Sequence, residues 1–109
     1  MKTITLRPYP GKVILCATKK EYRREHKKLF GDSISLKGKF GRCDGHKNGT
    51  FIVWAVDQAR LAHEFGHVIF TMFGLCGINP ADSQGEGFCY LLSQMLLDAG
   101  NDIKTPIID

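Results

Sequence analysis

The sequence predicts an α+β domain in which a small mixed sheet packs against helices, and three observations carry that prediction. Residues 12–18 (KVILCAT) and 50–56 (TFIVWAV) are short, β-branched apolar runs of strand type. From Leu61 to Phe73 the apolar residues recur at helical spacing instead. The order of patterns is β, β, α, β, β, α, α, with no internal repeat. At 109 residues, 43% hydrophobic and 24% charged, the chain has apolar material for one packed core and too little length for two.

The elements follow in order. Residues 3–7 alternate apolar and polar, Pro8-Tyr9-Pro10-Gly11 is turn chemistry, and residues 12–18 read as a buried strand. Residues 19–30 put Tyr22, His26, Leu29 and Phe30 on one stripe among charges, with Gly31 where a helix would stop, so a surface helix is expected. Residues 34–42 alternate around glycines, Asp44-Gly45 and Asn48-Gly49 offer tight turns, and residues 50–56 are the most strand-like run, giving two strands joined by a loop. Asp57 is placed as the N-cap of a helix of about four turns that ends at Gly74. Two glycines and a proline between residues 74 and 80 reverse the chain. Asp82 or Ser83 would then cap a helix carrying Phe88, Tyr90, Leu91, Leu92, Met95 and Leu96 to Gly100. Residues 101–109 have no period and are expected to be a partly disordered tail.

The division of charge is sharper than the net +4 conveys. Residues 1–50 hold 13 Lys/Arg against four carboxylates, and residues 51–109 hold two against seven, a basic half followed by an acidic one within one domain over 1–109. No apolar run approaches a bilayer span and residues 1–10 lack a signal peptide's apolar stretch, so a cytoplasmic protein is expected. Cys16, Cys43, Cys76 and Cys89 are well separated with no CxxC pair, which argues for reduced, mostly buried thiols over a disulfide framework. The absence of a heptad or tripeptide period excludes coiled coil and collagen.

The predicted central helix contains His63-Glu64-Phe65-Gly66-His67. At about 100° per residue, His63 and His67 share a face one turn apart, close enough to bind one metal ion, with Glu64 to the side. Zinc lowers the pKa of a bound water toward about 7, and a neighbouring carboxylate can take the proton as the water attacks a carbonyl. Glu64 is the candidate general base. A catalytic zinc usually takes three protein ligands. Downstream, Glu86 falls in the first turn of the next helix, with 18 residues between it and His67, where an antiparallel return would bring it across the histidine face. Asp82 is an alternative ligand, and Glu86 has an alternative role as a favourable charge at a helix N-terminus. Two histidines and a glutamate also suit ferrous iron or manganese.

This pattern, His63-Glu64-x-x-His67 followed after 18 residues by Glu86, resembles the gluzincin branch of the zincin metallopeptidases, including the HExxH-x18-E aminopeptidase clan. Glu86-Gly87-Phe88-Cys89-Tyr90 is also similar to the E-x-x-A-Y segment of short zincin-like proteins encoded by bacteriophages and their hosts. The resemblance covers roughly residues 50–97. It implies a minimal zincin-like domain with one zinc ion held by His63, His67 and Glu86, Glu64 as base, and residues 50–56 as the edge strand above the cleft. Such a strand would bind an extended peptide by β-augmentation. The larger families usually follow the third ligand with a carboxylate that orients a zinc histidine, whereas one turn beyond Glu86 stands Tyr90. Tyr90 is either a donor to the developing oxyanion or a core residue with its hydroxyl satisfied. Gly66 either lets another backbone approach the site or is a tolerated helix glycine.

Other features support different readings. Lys19, Lys20, Arg23, Arg24, Lys27 and Lys28, with Lys37, Lys39, Arg42 and Lys47, form either a solvated face or a contact for a nucleic acid or acidic protein. On that reading the chain is a zincin-fold binding or regulatory protein. No RRM, helix-turn-helix or zinc-finger signature accompanies these charges. Cys43-x-x-His46 has metal-like spacing without a second pair, and His46 could alternatively reach the active site from its loop. His26 is expected at the edge of the core. Trp54 is expected to pack within its strand, or to contact substrate from the cleft side.

Overall fold

The structure is a computed structural model and describes residues 1–100. The expectation for residues 101–109 falls outside the described residues. Four strands, β1 (Lys2–Thr5), β2 (Lys12–Leu15), β3 (Gly41–Gly45) and β4 (Thr50–Ala55), form one mixed sheet in the order β1-β2-β4-β3. Three helices, α1 (Lys19–Phe30), α2 (Gln58–Cys76) and α3 (Glu86–Ala99), complete the predicted α+β arrangement.

The sheet is covered on both faces. Along β4, Phe51, Val53 and Ala55 face α2 and α3, while Ile52 and Trp54 face α1, as the period of two requires. The larger core joins Ile4, Leu6, Val13 and Leu15 of the β1–β2 hairpin to Leu61, Phe65, Val68, Ile69, Met72 and Phe73 of α2 and to Leu91, Met95 and Ala99 of α3. The smaller one packs Tyr22 of α1 on Cys16, Leu36, Ile52 and Trp54. Trp54 therefore lies on the sheet face opposite α2, fully buried, with Lys19 Nζ 5.3 Å from its ring centroid.

Connectivity explains the strand order. The segment through α1 carries the chain from β2 to β4, which pair in parallel with Val13 beside Phe51. The β3–β4 hairpin then places β3 outside β4, with Cys43 beside Val53. This corrects the expectation for residues 50–56. They form an inner strand, buried throughout residues 50–55, and the edge strand beside α2 is β3.

Several boundaries also move. The first strand spans Lys2–Thr5 rather than 3–7, and β2 ends at Leu15. Residues 34–40 are not strand, because Leu36 anchors them in the smaller core while Lys39 N donates to Leu36 O in a turn. Helix α1 has the predicted bounds and is capped by Thr18, whose side chain accepts from Glu21 N. Asp57 caps α2 through Arg60 N, and α2 runs past Gly74 to Cys76, stopping at left-handed Gly77. Neither Asp82 nor Ser83 caps α3. A 3-10 turn, Asp82–Gly85, intervenes with Ser83, Gln84 and Gly85 at φ of 53°, 60° and 78°, and Gly85 is the uncapped N-cap position. The thiols are not mostly buried: Cys16 is buried and Cys43 half-buried, but Cys76 and Cys89 are exposed at helix ends. No helix among the described residues is long and apolar enough to cross a membrane.

Candidate metal and hydrolytic site

The buried stripe of α2 fixes the direction of everything else on that helix. Leu61, Phe65, Val68 and Met72 point into the core, which turns His63 and His67 to the exposed side and leaves Glu64 at the boundary. The imidazoles meet there with His63 Nε2 and His67 Nε2 3.1 Å apart and their rings nearly perpendicular at 86°. Two ring nitrogens at this separation cannot both present lone pairs to each other without a proton or cation between them. Two nitrogens bound to one tetrahedral zinc at about 2.0–2.1 Å would stand about 3.3–3.4 Å apart, so the pair fits a shared ion with little adjustment.

Glu64 is buried at 9% exposure and lies beneath the edge strand. An ideal Cβ on Gly41 would come within 3.2 Å of Glu64 Oε2 and 3.3 Å of its Cγ, so the missing side chain at Gly41 is what lets β3 pass over the carboxylate. Cys43, two residues along the same side of β3, is half-buried against the larger core on the α2 side of the sheet. Its thiol is pushed up to about 12, first by burial and then by the charges of Glu64 and Asp44, and it stays protonated. Lys39, Gly41, Arg42, Cys43, Glu64 and His67 line a cleft of about 490 Å³ between β3 and α2. The outer edge of β3 has no paired strand among the described residues.

The other predicted site residues are distributed around this cleft. Helix α3 packs against α2, with the Phe88 ring 5.2 Å from Phe70 and within 3.8 Å of an ideal Cβ on Gly66, but its first turn does not carry Glu86 across the face of His63 and His67 as expected from the sequence. The group approaching Gly66 is thus a side chain, not a backbone. Glu86, exposed one half-turn before Phe88, lines a separate depression with Tyr9, Phe73, Ile78 and Asp82. Among the described residues, no three His, Cys, Asp or Glu side chains are gathered to hold a metal ion. Tyr90 is 66% exposed and so is not the core residue of one reading, and it is not among the residues lining the cleft. Between these helices Phe70, Pro80, Ala81, Phe88 and Cys89 line an apolar depression of about 340 Å³.

On the far face of the sheet, His26 is 5% exposed, with Nδ1 3.2 Å from Asp32 Oδ1 and its ring against Tyr22 and Phe30. Asp44 accepts from the Tyr22 hydroxyl and from Arg42 Nε at 2.8 Å, and burial together with this bond drives the Tyr22 phenol well above its ordinary pKa. His46 packs on Phe30 at 5.7 Å and accepts from Asn48 N. It therefore sits with α1, apart from Cys43, which faces α2, and the two form no metal pair. Sequence reasoning missed Cys43 and Gly41 as neighbours of Glu64. Their signal was alternation along residues 41–45, where Arg42 and Asp44 turn to one face and Cys43 to the other. Compared with family models, curated proteins and solved structures, the chain gives no match.

Proposed function

We propose that this chain is a zinc-dependent metallopeptidase of zincin type that hydrolyses a peptide bond in an extended segment laid along β3. The observation that carries the reading is the facing pair His63 and His67, 3.1 Å apart at Nε2, beside a buried Glu64 carboxylate in an open cleft. The two histidines would hold the ion, and Glu86, which stands in a separate depression at the start of α3, would become the third ligand by turning toward them when the ion binds. A zinc ion so held would supply Lewis acidity and lower the pKa of a water toward about 7.

The chain's own groups supply the rest. Glu64 would accept the proton, with Gly41 and the protonated Cys43 of β3 covering its carboxylate. The unpaired edge of β3 offers backbone N–H and C=O groups that hold the substrate extended over the cleft. Tyr90, exposed on α3 outside the cleft one turn beyond Glu86, would donate to the oxyanion only on the same rearrangement that brings Glu86 to the ion. Free thiols at four positions suit a reducing compartment, and the cytoplasm is the proposed location.

A mixed peptide library read by mass spectrometry tests this function. Zinc-loaded wild type should release cleavage products, and Glu64→Gln should keep its zinc while losing about a hundredfold or more in rate. Turnover that survives Glu64→Gln would remove Glu64 from the role of base.

A further inference from the structure

The division of charge in the sequence becomes a division across the sheet. Helices α2 and α3 contain one Lys or Arg, Arg60, and it is engaged with Asp57 at 2.6 Å. Helix α1, on the opposite face, turns Lys20, Arg23, Arg24, Lys27 and Lys28 to solvent. At about 100° per residue these five occupy an arc of about 140°, centred opposite buried Tyr22 and His26.

The two carboxylates of α1 are absent from that arc. Glu21 is turned to the helix start, where Oε1 accepts from Ala17 N at 2.9 Å, and Glu25 is 7% exposed. Lys28 and Arg24 share Glu25 at 3.2 and 3.9 Å, whereas Lys20, Arg23 and Lys27 have no carboxylate partner among the described residues. The contact of Phe30 with His46 sets the end of α1 against the β3–β4 turn, where exposed Lys47 extends the cationic surface.

We infer that the outer face of α1 docks on the phosphate backbone of a nucleic acid. The helix is about 18 Å long and a duplex of that length carries about ten phosphate charges, about five per strand, opposite a face of five cations of which Lys20, Arg23 and Lys27 have no carboxylate partner among the described residues. Charge complementarity of this density, without any built pocket for base edges, makes the contact independent of sequence. Because α1 and the cleft lie on opposite faces of the sheet, the docked molecule leaves β3 and Glu64 open to a protein on the same nucleic acid.

The test is fluorescence anisotropy of a labelled 20-base-pair duplex of mixed sequence, titrated with full-length protein from 50 to 300 mM salt. Wild type should bind at the low end, with log K falling linearly in log salt. Lys20→Gln/Arg23→Gln/Lys27→Gln should bind at least tenfold more weakly, with a slope shallower by about 2.7, or about 0.9 per lost contact. Arg7→Gln/Lys12→Gln/Lys37→Gln removes the same charge from other exposed positions and should lose much less. Circular dichroism of each variant verifies folding. No binding by wild type at 50 mM salt would overturn the proposal, as would equal losses in the two variants. Tighter binding of a labelled polyglutamate peptide than of the duplex would reassign the face to an acidic protein.

Discussion

Glu64 is held by what passes over it. The carboxylate is covered by a glycine and approached by a thiol, both supplied by a strand that lies some twenty residues earlier in the chain. His63, Glu64 and His67 were legible because one helix fixes their mutual geometry through its own period. Cys43 and Gly41 were not, because their place depends on the register of β3 against β4 and on α2 crossing beneath it. The same contrast predicts thiol behaviour. Burial, foremost, pushes Cys16 and Cys43 up to about 12, while Cys76 and Cys89 stand exposed. With iodoacetamide at pH 8, followed by peptide mapping, Cys76 and Cys89 should be alkylated about tenfold or more faster than the other two. Equal labelling of Cys43 and Cys89 would contradict the placement of Cys43 on the inward side of β3.

Helix α2 carries the site, and its start is set by one side chain. Asp57 accepts from Arg60 N at 2.9 Å, and chiefly this bond holds its carboxyl below the usual range. A carboxyl depressed in the folded state contributes stability above its unfolded pKa, about 3.9, and loses that contribution as the pH falls through the folded value. Asp57→Ala should therefore melt at a lower temperature than wild type at pH 7, with the gap closing below about pH 4. A gap that stays constant down to pH 2 would mean that the charge is not what caps the helix. The helices were legible because their apolar stripes and caps are local. The identity of the edge strand was misassigned because hydrophobicity records burial but not order in the sheet. The unbroken apolar run at residues 50–56 was itself a sign of an inner strand. The left-handed Ser83-Gln84-Gly85 segment before Glu86 carried no such sign, since only its third residue is of the type that favours that backbone.

The whole molecule is a sheet with a basic helix on one face and an acidic helical pair on the other, and its proposed chemistry lies on the acidic side, beneath the edge strand. That polarity could be counted in the sequence, but its alignment with the two faces of a sheet required the topology. The proposed function requires His63, His67 and Glu86 to hold one ion, the two histidines already facing each other and the glutamate on the neighbouring helix in a separate depression. Elemental analysis of protein purified without added metal, with His63→Ala and Glu86→Ala beside wild type, tests this most directly. About one zinc per chain in wild type, strongly reduced in both variants, is the predicted result. Wild type that carries no metal even after zinc is offered would contradict the proposed function, and a full complement of zinc in Glu86→Ala would contradict the third ligand.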